Sequence, residues 1–481
     1  MKPQPGKATK DSTDQMGIDP PFRLLMRFSL PCVIGMVVNS LYNIVDRMFV
    51  GHGAGEMGIA AITVSFPLMM VMISFSTLVG VGSNTLFSIK MGEGRKELAE
   101  RILGNAFVLL FAFPAAAAVA AIWGLDPLLR LMGCSEALLP LARTYAAVVL
   151  GGAALSTTGH GLSHFLRSDG HPVESMVAML IGAVVNTALD ALFILGFGWG
   201  VAGAAWATVI AQGCSFLWCF LYFLRPSAHI RIRRTCLALD WRRVVGPFLV
   251  LGITPFAMNM CNSLLNVILN RSLQRYGGDG ALAVMGILAS FMSIVFMTAM
   301  GIGQGVAPLM GYNYGAKLYR RVMVFFRHAT LVITGLMVAG WLVSQLVPGA
   351  VMRMFVDAGS PLVPMGDRAL RMFTLAFPVI GFCMMSGMLF QSIGKPWHAF
   401  FLSLARQLVF FIPFLLVCPR VLPVLFEALS PLDSVYLSAP MSDLLTFAVS
   451  VAFVRREFGI FRRLEAETAI ANAAAAGTVP R

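Results

Sequence analysis

Apolar runs of about 20 residues recur along the whole chain, and a helix of that length crosses the roughly 30 Å hydrocarbon core of a bilayer. The mean hydropathy is +0.78, and 12% of the residues are charged, against about 25% in an average globular protein. The short alternating segments typical of transmembrane barrels do not occur in the sequence. The sequence therefore predicts an all-α polytopic membrane protein.

The chain also repeats itself once. At an offset of 223 or 224, Pro31 returns as Pro255, Gly92 as Gly315, and Asn39-Ser40-Leu41 as Asn262-Ser263-Leu264. Residues near 22–224 and 243–458 are thus two copies of one unit, and an internal repeat outweighs any local pattern in predicting the architecture.

We predict twelve transmembrane helices in two six-helix lobes, with glycine, proline and charge marking the breaks between spans. The spans lie near 24–48, 58–86, 102–124, 138–165, 173–197, 201–224, 244–271, 280–311, 322–348, 369–392, 397–419 and 436–456. The predicted organisation is a tail (1–20), an N-lobe (21–224), a basic linker (225–243), a C-lobe (244–458) and a second tail (459–481). Both copies start on the same side, so the repeat is parallel, with its pseudo-twofold axis along the membrane normal.

The positive charges orient the chain. Of the 36 Lys and Arg residues, 26 lie on the side of the tails and the linker, Arg167 among them, and 9 lie on the other side. This bias predicts that both termini are cytoplasmic in a multi-pass protein of the inner (plasma) membrane. The net charge of +13 is explained by these loops, so we expect no nucleic-acid partner.

The carboxylates inside the spans do not repeat. Asp46 corresponds to Leu269 in the second copy, and Asp190 corresponds to Phe414. An ionisable residue within a span is costly and is a functional hypothesis by default. The two lobes therefore cannot perform the same chemistry.

A polar cluster is predicted in the outer half of the first copy. At 1.5 Å of rise per residue, these side chains fall at one level: Asp46, Asn43, Asn186, Asp190, Thr208 and Tyr145. Two carboxylates in a poorly hydrated pocket cannot both ionise cheaply, so the pair can take up a proton. The same oxygens suit Na⁺, a hard cation, and the sequence does not decide between the ions. One alternative is that Asp46 only caps span 1 beside Arg47.

Other polar groups in the spans have structural interpretations. Arg406 and Asp443 are expected to form a structural ion pair. His160 and His164 have the spacing of a metal or haem ligand pair, but no second His pair occurs on a neighbouring span, so we interpret them as interfacial packing.

The chain resembles the multidrug and toxic compound extrusion (MATE) family. The resemblance depends on residues 41–46 (LYNIVD), 301–305 (GIGQG), 311–315 (GYNYG), 186–190 and 203–208 (GAAWAT). It implies a V-shaped pair of six-helix lobes that export amphipathic organic cations in exchange for H⁺ or Na⁺ by alternating access. It also implies the branch whose cation site lies in the N-terminal lobe, since spans 7 and 10 lack acids here.

The resemblance assigns roles to single residues. Asp46, Asn186, Asp190 and Thr208 would form the coupling site, and these four would also hold Na⁺. Ala204 would add a backbone carbonyl and Tyr145 a hydrogen bond. Pro31 falls where the family's first helix bends on protonation. We assign Asn39, Asn43 and Asn266 to the substrate cavity.

No enzyme activity and no cofactor other than the coupling ion are expected. The expected partners are organic cations and membrane lipids, and we expect a monomer. A flippase for lipids or lipid-linked oligosaccharides is the alternative, but it needs a basic cavity, and the span interiors offer little beyond Arg406. A haem protein or membrane enzyme lacks paired axial histidines and a hydrolytic constellation here, and the duplicated six-span plan favours a carrier over a channel or receptor.

Overall fold

The computed structural model describes residues 15–225, 228–357 and 359–475, and these ranges are helical almost throughout, without a β-strand. The α-helices of the first half are α1 (Gln15–Ile18), α2 (Pro21–Gly92), α3 (Lys96–Trp123), α4 (Leu125–Leu131), α5 (Leu139–Gly151), α6 (Ala153–Ser168), α7 (Pro172–Asp190) and α8 (Gly200–Leu224). A π-helix, Ala191–Gly196, continues α7 directly after Asp190.

The second half begins after a 3₁₀ turn at Arg234–Cys236 and a π-helix at Trp241–Val245. Its helices are α9 (Gly246–Gly315), α10 (Tyr319–Leu346), α11 (Pro348–Arg353), α12 (Leu362–Phe373), α13 (Phe377–Ser392), α14 (Pro396–Leu404), α15 (Ile412–Leu425) and α16 (Pro431–Ala475), with a π-helix at Ala405–Phe411 between α14 and α15. The predicted tail at 459–481 is therefore helical as far as Ala475.

The described ranges contain twelve crossings. Nine segments are long and apolar enough to cross a membrane, and two bent helix pairs, α5–α6 (49°) and α12–α13 (50°), raise the number to eleven. One of the nine, Trp241–Gly315, is 75 residues long, far more than a single crossing needs. Its backbone leaves the helical region at Gly278 (φ 64°), so it counts as two. Gly55, 223 residues earlier, turns α2 in the same way (φ 66°), and glycine adopts this conformation without the steric cost of a Cβ.

Both ends of the described chain meet on one side of the bundle, which we call the terminal side. Met16 and Phe461 belong to the same buried cluster, and Phe461 stacks on Tyr319 with 5.5 Å between ring centroids. Arg321 donates hydrogen bonds to the backbone oxygens of Met16 (3.1 Å) and Asp19 (2.7 Å). Because the two ends share a side, the number of crossings is even.

The two lobes contact each other closely on the terminal side. A Cβ on Gly82 would overlap the carbonyl oxygen of Phe248, and a Cβ on Gly252 would overlap that of Leu78. The approach of backbone to backbone here requires glycine on both helices, since a packed interface has no free volume for an added carbon.

These contacts follow a twofold relation. A Cβ on Gly92 would overlap the carbonyl oxygen of Tyr312, and a Cβ on Gly315 would overlap that of Ile89. Gly315 and Tyr312 are the counterparts of Gly92 and Ile89 at the repeat offset of 223, so the two contacts are related by the repeat. The parallel repeat predicted from the sequence is confirmed by this symmetry.

The contact between the lobes extends inward from the terminal side. Asn259 donates to Thr77 (3.3 Å), and the rings of Phe75 and Phe256 lie 5.4 Å apart. Thr77 precedes Gly92 by 15 residues, which is about 22 Å of helix. The lobes are therefore closed on the terminal side as far as the middle of the membrane.

Candidate functional site

Helices α2 and α7 bring the carboxyl groups of Asp46 and Asp190 together. The two groups are close enough to repel each other as anions and to share a hydrogen bond when one is protonated. Asp190 is completely buried. The structure thus places in contact the two acids that the sequence places on spans 1 and 5.

The acceptors around Asp190 lack donors. Among the described residues, neither carboxylate oxygen of Asp190 has a hydrogen-bond partner, and the same holds for Oδ1 of Asn186, which is 2% exposed. Asp46 cannot supply a donor to Asp190 while both are ionised. A buried carboxylate without a donor or a counter-charge is strongly unfavourable, so this site needs a proton or a cation.

A chain of hydrogen bonds orients the Asn186 amide. Its Nδ2 donates to Oγ1 of Thr208 (3.4 Å), and that hydroxyl donates to the carbonyl oxygen of Ala204 (2.9 Å). Because Nδ2 is used in this chain, Oδ1 remains as an acceptor. Tyr145 is 5% exposed and belongs to one buried cluster with Ala204 and Ile194. Four of the predicted site residues therefore lie together on α5, α7 and α8.

The remaining predicted site residues lie in different parts of the structure. Asn39 lines a cavity inside the N-lobe together with Asn186, whereas the side chain of Asn43 lies outside the described residues. Asn266 lies on α9 of the other lobe, exposed, and donates to the carbonyl oxygen of Asn262 (2.9 Å), so it does not line this cavity. Helix α2 keeps helical backbone angles through Pro31.

The N-lobe cavity has a volume of about 190 Å³ and two chemically different ends. Asn39, Asn186 and Thr208 line the end in the middle of the lobe. Arg167 lines the other end, 11 residues after Ser156 on α6 and hence about 16 Å further toward the terminal side.

Sequence reasoning missed Arg167, because it counted this residue among the loop charges. In the structure Arg167 is only 4% exposed and faces the cavity. The expectation that Arg406 is nearly alone among interior arginines is therefore wrong. The position of a residue in the sequence gives its depth along a helix, but it does not give the direction in which the side chain points.

His160 and His164, which we interpret from the sequence as interfacial packing, both line the N-lobe cavity. In the part of the chain that the structure describes, no group of three or more His, Cys, Asp or Glu side chains is arranged to hold a metal ion. A Na⁺ ion would instead depend on amide, hydroxyl and carbonyl oxygens beside the two acids, and hard cations accept such ligands.

The C-lobe neutralises its own buried acid. Nε of Arg406 donates to Oδ1 of Asp443 at 2.7 Å, and the Asp443 side chain is 7% exposed. The predicted ion pair is confirmed. Asp443 therefore has a counter-charge, unlike Asp190.

The substitution Arg406→Gln is expected to destabilise the protein by roughly 3 kcal/mol, because it leaves the Asp443 carboxylate buried without a counter-charge. We place the effect at the low end of the usual range because the Arg406 side chain is one-third exposed. The double variant Arg406→Met with Asp443→Leu should recover most of the loss. Thermal unfolding of the purified variants in detergent measures both effects, and equal melting temperatures for the single and double variants would contradict a structural ion pair.

Comparison with known proteins places these features in a family. The sequence profile described as MatE matches residues 31–192 and 255–417, and the two matches begin at Pro31 and Pro255, where the repeat begins. Multidrug export protein MepA of Staphylococcus aureus (strain NCTC 8325 / PS 47) is 29% identical over 304 residues, 62% of this chain and 66% of that relative. The chain thus matches slightly less than two thirds of the relative's length.

Solved structures share the fold. The structure described as "MATE in the straight conformation" covers 95% of this chain and 100% of its own, with a TM-score of 0.86 and 24% identity. An "outward-facing conformation of a multidrug resistance MATE family transporter" has the same coverage and identity, with a TM-score of 0.85. With profile matches over more than half of its length, this chain belongs to the MATE family.

Proposed function

We propose that this protein is a secondary active exporter of amphipathic organic cations, which it exchanges for H⁺ or Na⁺ at a site in the N-lobe. The observation that carries the proposal is the buried Asp190 carboxylate, whose two oxygens lack donors and lie against Asp46. Such a pair is stable only with a bound proton or cation. The site is thus suited to take up and release the coupling ion.

Coupling to the N-lobe alone is supported by the contrast between the lobes. The three described buried acids of the C-lobe, Asp433, Asp443 and Glu457, each have a basic partner within 2.7 Å, so they have no need of an external cation. Asp190 has no such partner among the described ion pairs of the chain.

The two ions would use the site differently. A proton needs only the two carboxyl groups, which could then share one hydrogen bond. A sodium ion needs additional oxygens, and Asn186 Oδ1, Thr208 Oγ1 and the Ala204 carbonyl are the candidates near Asp190. The unpartnered Oδ1 of Asn186 supports either ion, because it can accept from a carboxylic acid or bind a cation.

In this proposal the terminal side is cytoplasmic and the membrane is the plasma membrane, in agreement with the distribution of Lys and Arg. A cation arriving from the opposite side binds Asp46 and Asp190 and favours one packing of the N-lobe. Binding shifts the balance between two packings only by the difference in affinity that the ion has for them. Release of the organic cation to the outside and opening of the terminal side would follow from that difference.

The proposal is tested in proteoliposomes loaded with ethidium, a cationic dye. A proton gradient and a sodium gradient are imposed separately, each with the higher cation concentration on the side opposite the terminal side. We expect one gradient to drive dye movement and the other to have no effect. Dye movement at the same rate with and without each gradient would rule out exchange. Protein-free liposomes serve as the control for leakage of the dye.

A further inference from the structure

The cavity end that lies toward the terminal side, which we call the inner end, is built around a buried arginine. Arg167 donates from one terminal nitrogen to Oγ of Ser175 (2.9 Å) and from the other to Nδ1 of His164. The described ion pairs of arginines all involve other arginines, so no carboxylate within 4.0 Å balances this charge.

The acid nearest in sequence does not serve as the missing counter-charge. Asp169 is fully buried, but its carboxylate accepts a hydrogen bond from the hydroxyl of Tyr222 (3.2 Å). It also lies 3.4 Å from Nδ1 of His229 and 3.7 Å from Nδ1 of His171. The Asp169 carboxylate is therefore engaged by Tyr222 and two histidines, and it forms no described ion pair with Arg167.

The remaining groups of the inner end can donate hydrogen bonds. Since a guanidinium only donates, Nδ1 of His164 accepts from Arg167, and the ring hydrogen of neutral His164 is on Nε2. Ser163 shares a hydrogen bond with Ser175 (2.7 Å), and both serines lie beside Arg167. The inner end thus combines one positive charge with N–H and O–H donors.

We propose that the inner end of the N-lobe cavity binds the carboxylate group of a small organic acid. A buried positive charge without a counter-ion is unfavourable, and arginine holds a carboxylate through paired N–H···O bonds. One arginine balances the single charge of a carboxylate, whereas a phosphate carries up to two. The volume of about 190 Å³ is below the ~300–1,000 Å³ of drug-sized pockets, so the ligand is small.

The cavity that contains the inner end is bordered by both lobes. Gln304, which lies on α9 of the C-lobe, lines the same cavity as Arg167 and His164. The proposed site is separate from the acidic pair and adds an anionic group to what the protein can bind.

The test compares benzoate with benzamide, which has the same shape without the charge. The purified protein in detergent is titrated with each compound, and the dissociation constant is obtained from the shift in melting temperature. We expect benzoate to stabilise the wild-type protein and benzamide to have little effect. Arg167→Gln should weaken benzoate binding about tenfold or more, as expected for a lost charge-assisted hydrogen bond. Arg167→Lys, which keeps the charge without the planar fork, should weaken it less.

The matched control is Arg320→Gln, which changes an exposed arginine on the terminal side and should leave benzoate binding unchanged. Equal binding of benzoate and benzamide by the wild type would overturn the proposal, as would undiminished benzoate binding by Arg167→Gln. A tighter response to inorganic phosphate than to benzoate would overturn the choice of carboxylate. If Arg167→Gln does not fold, the proposal is tested by the comparison of benzoate with benzamide on the wild type and by the benzoate affinity of Arg167→Lys. No ion gradient is used, so a failure of the exchange proposal is separable from a failure here.

Discussion

Asp190→Asn is expected to reduce gradient-driven ethidium movement to the level of protein-free liposomes while the protein still inserts and folds. The substitution keeps the shape of the side chain but removes the charge that binds a proton or a cation. It also gives position 190 an N–H donor beside Asp46, where the carboxylate offered none. Thermal stability should therefore not fall, because the charge removed has no counter-ion among the ion pairs that the structure describes.

The matched control is Asp279→Asn, the same chemical change at an exposed residue next to the Gly278 turn. It should leave dye movement at the wild-type level. Full transport by Asp190→Asn, or an equal loss in Asp279→Asn, would remove the basis for a coupling site at Asp190.

Gly252→Ala is expected to open the lobes on the terminal side. The added Cβ overlaps the carbonyl oxygen of Leu78, which belongs to the backbone of the opposite lobe and cannot move aside as a side chain can. Overpacking costs about 1–3 kcal/mol, and here only the closed arrangement bears the cost. The ratio of closed to open molecules should fall by about 5- to 150-fold.

Spin labels at positions 96 and 320, which are exposed on the terminal side of the N-lobe and the C-lobe, report this opening as a longer distance by pulsed electron resonance. Gly335→Ala is the control, since a Cβ at that helical position meets no atom within 4 Å. A folded Gly252→Ala protein with an unchanged distance distribution would show that the glycine contact does not limit the closed state.

Much of the fold was predictable because it follows from the length of the apolar segments and from the internal repeat. Apolar length predicts the crossings, and the repeat predicts the parallel lobes, with which the matching turns observed at Gly55 and Gly278 agree. The bends within α5–α6 and α12–α13 were not predictable, since an apolar run of the right length shows no interruption. Periodicity also does not reveal that the helix after Asp190 changes to π-helical hydrogen bonding, because that change depends on packing against neighbours.

The candidate site was predictable in part for a related reason. Asp46 and Asp190 stand out because a carboxylate inside an apolar span is rare and costly. Arg167 does not stand out, because it lies near a helix end where arginines are usually solvated. Only the packing of α6 against α7, where Ser175 accepts from its guanidinium, shows that this arginine is interior.

The internal neutralisation of Asp443 by Arg406 has a consequence for the response to membrane voltage. A paired acid and base carry no net charge, so moving the Arg406–Asp443 pair as a unit carries no net charge through the transmembrane field. Each elementary charge carried across the full field is worth about 2.3 kcal/mol per 100 mV. If the occupancy of the Asp46–Asp190 pair changes during the cycle, the resulting change in charge arises in the N-lobe, whereas the Arg406–Asp443 pair contributes none.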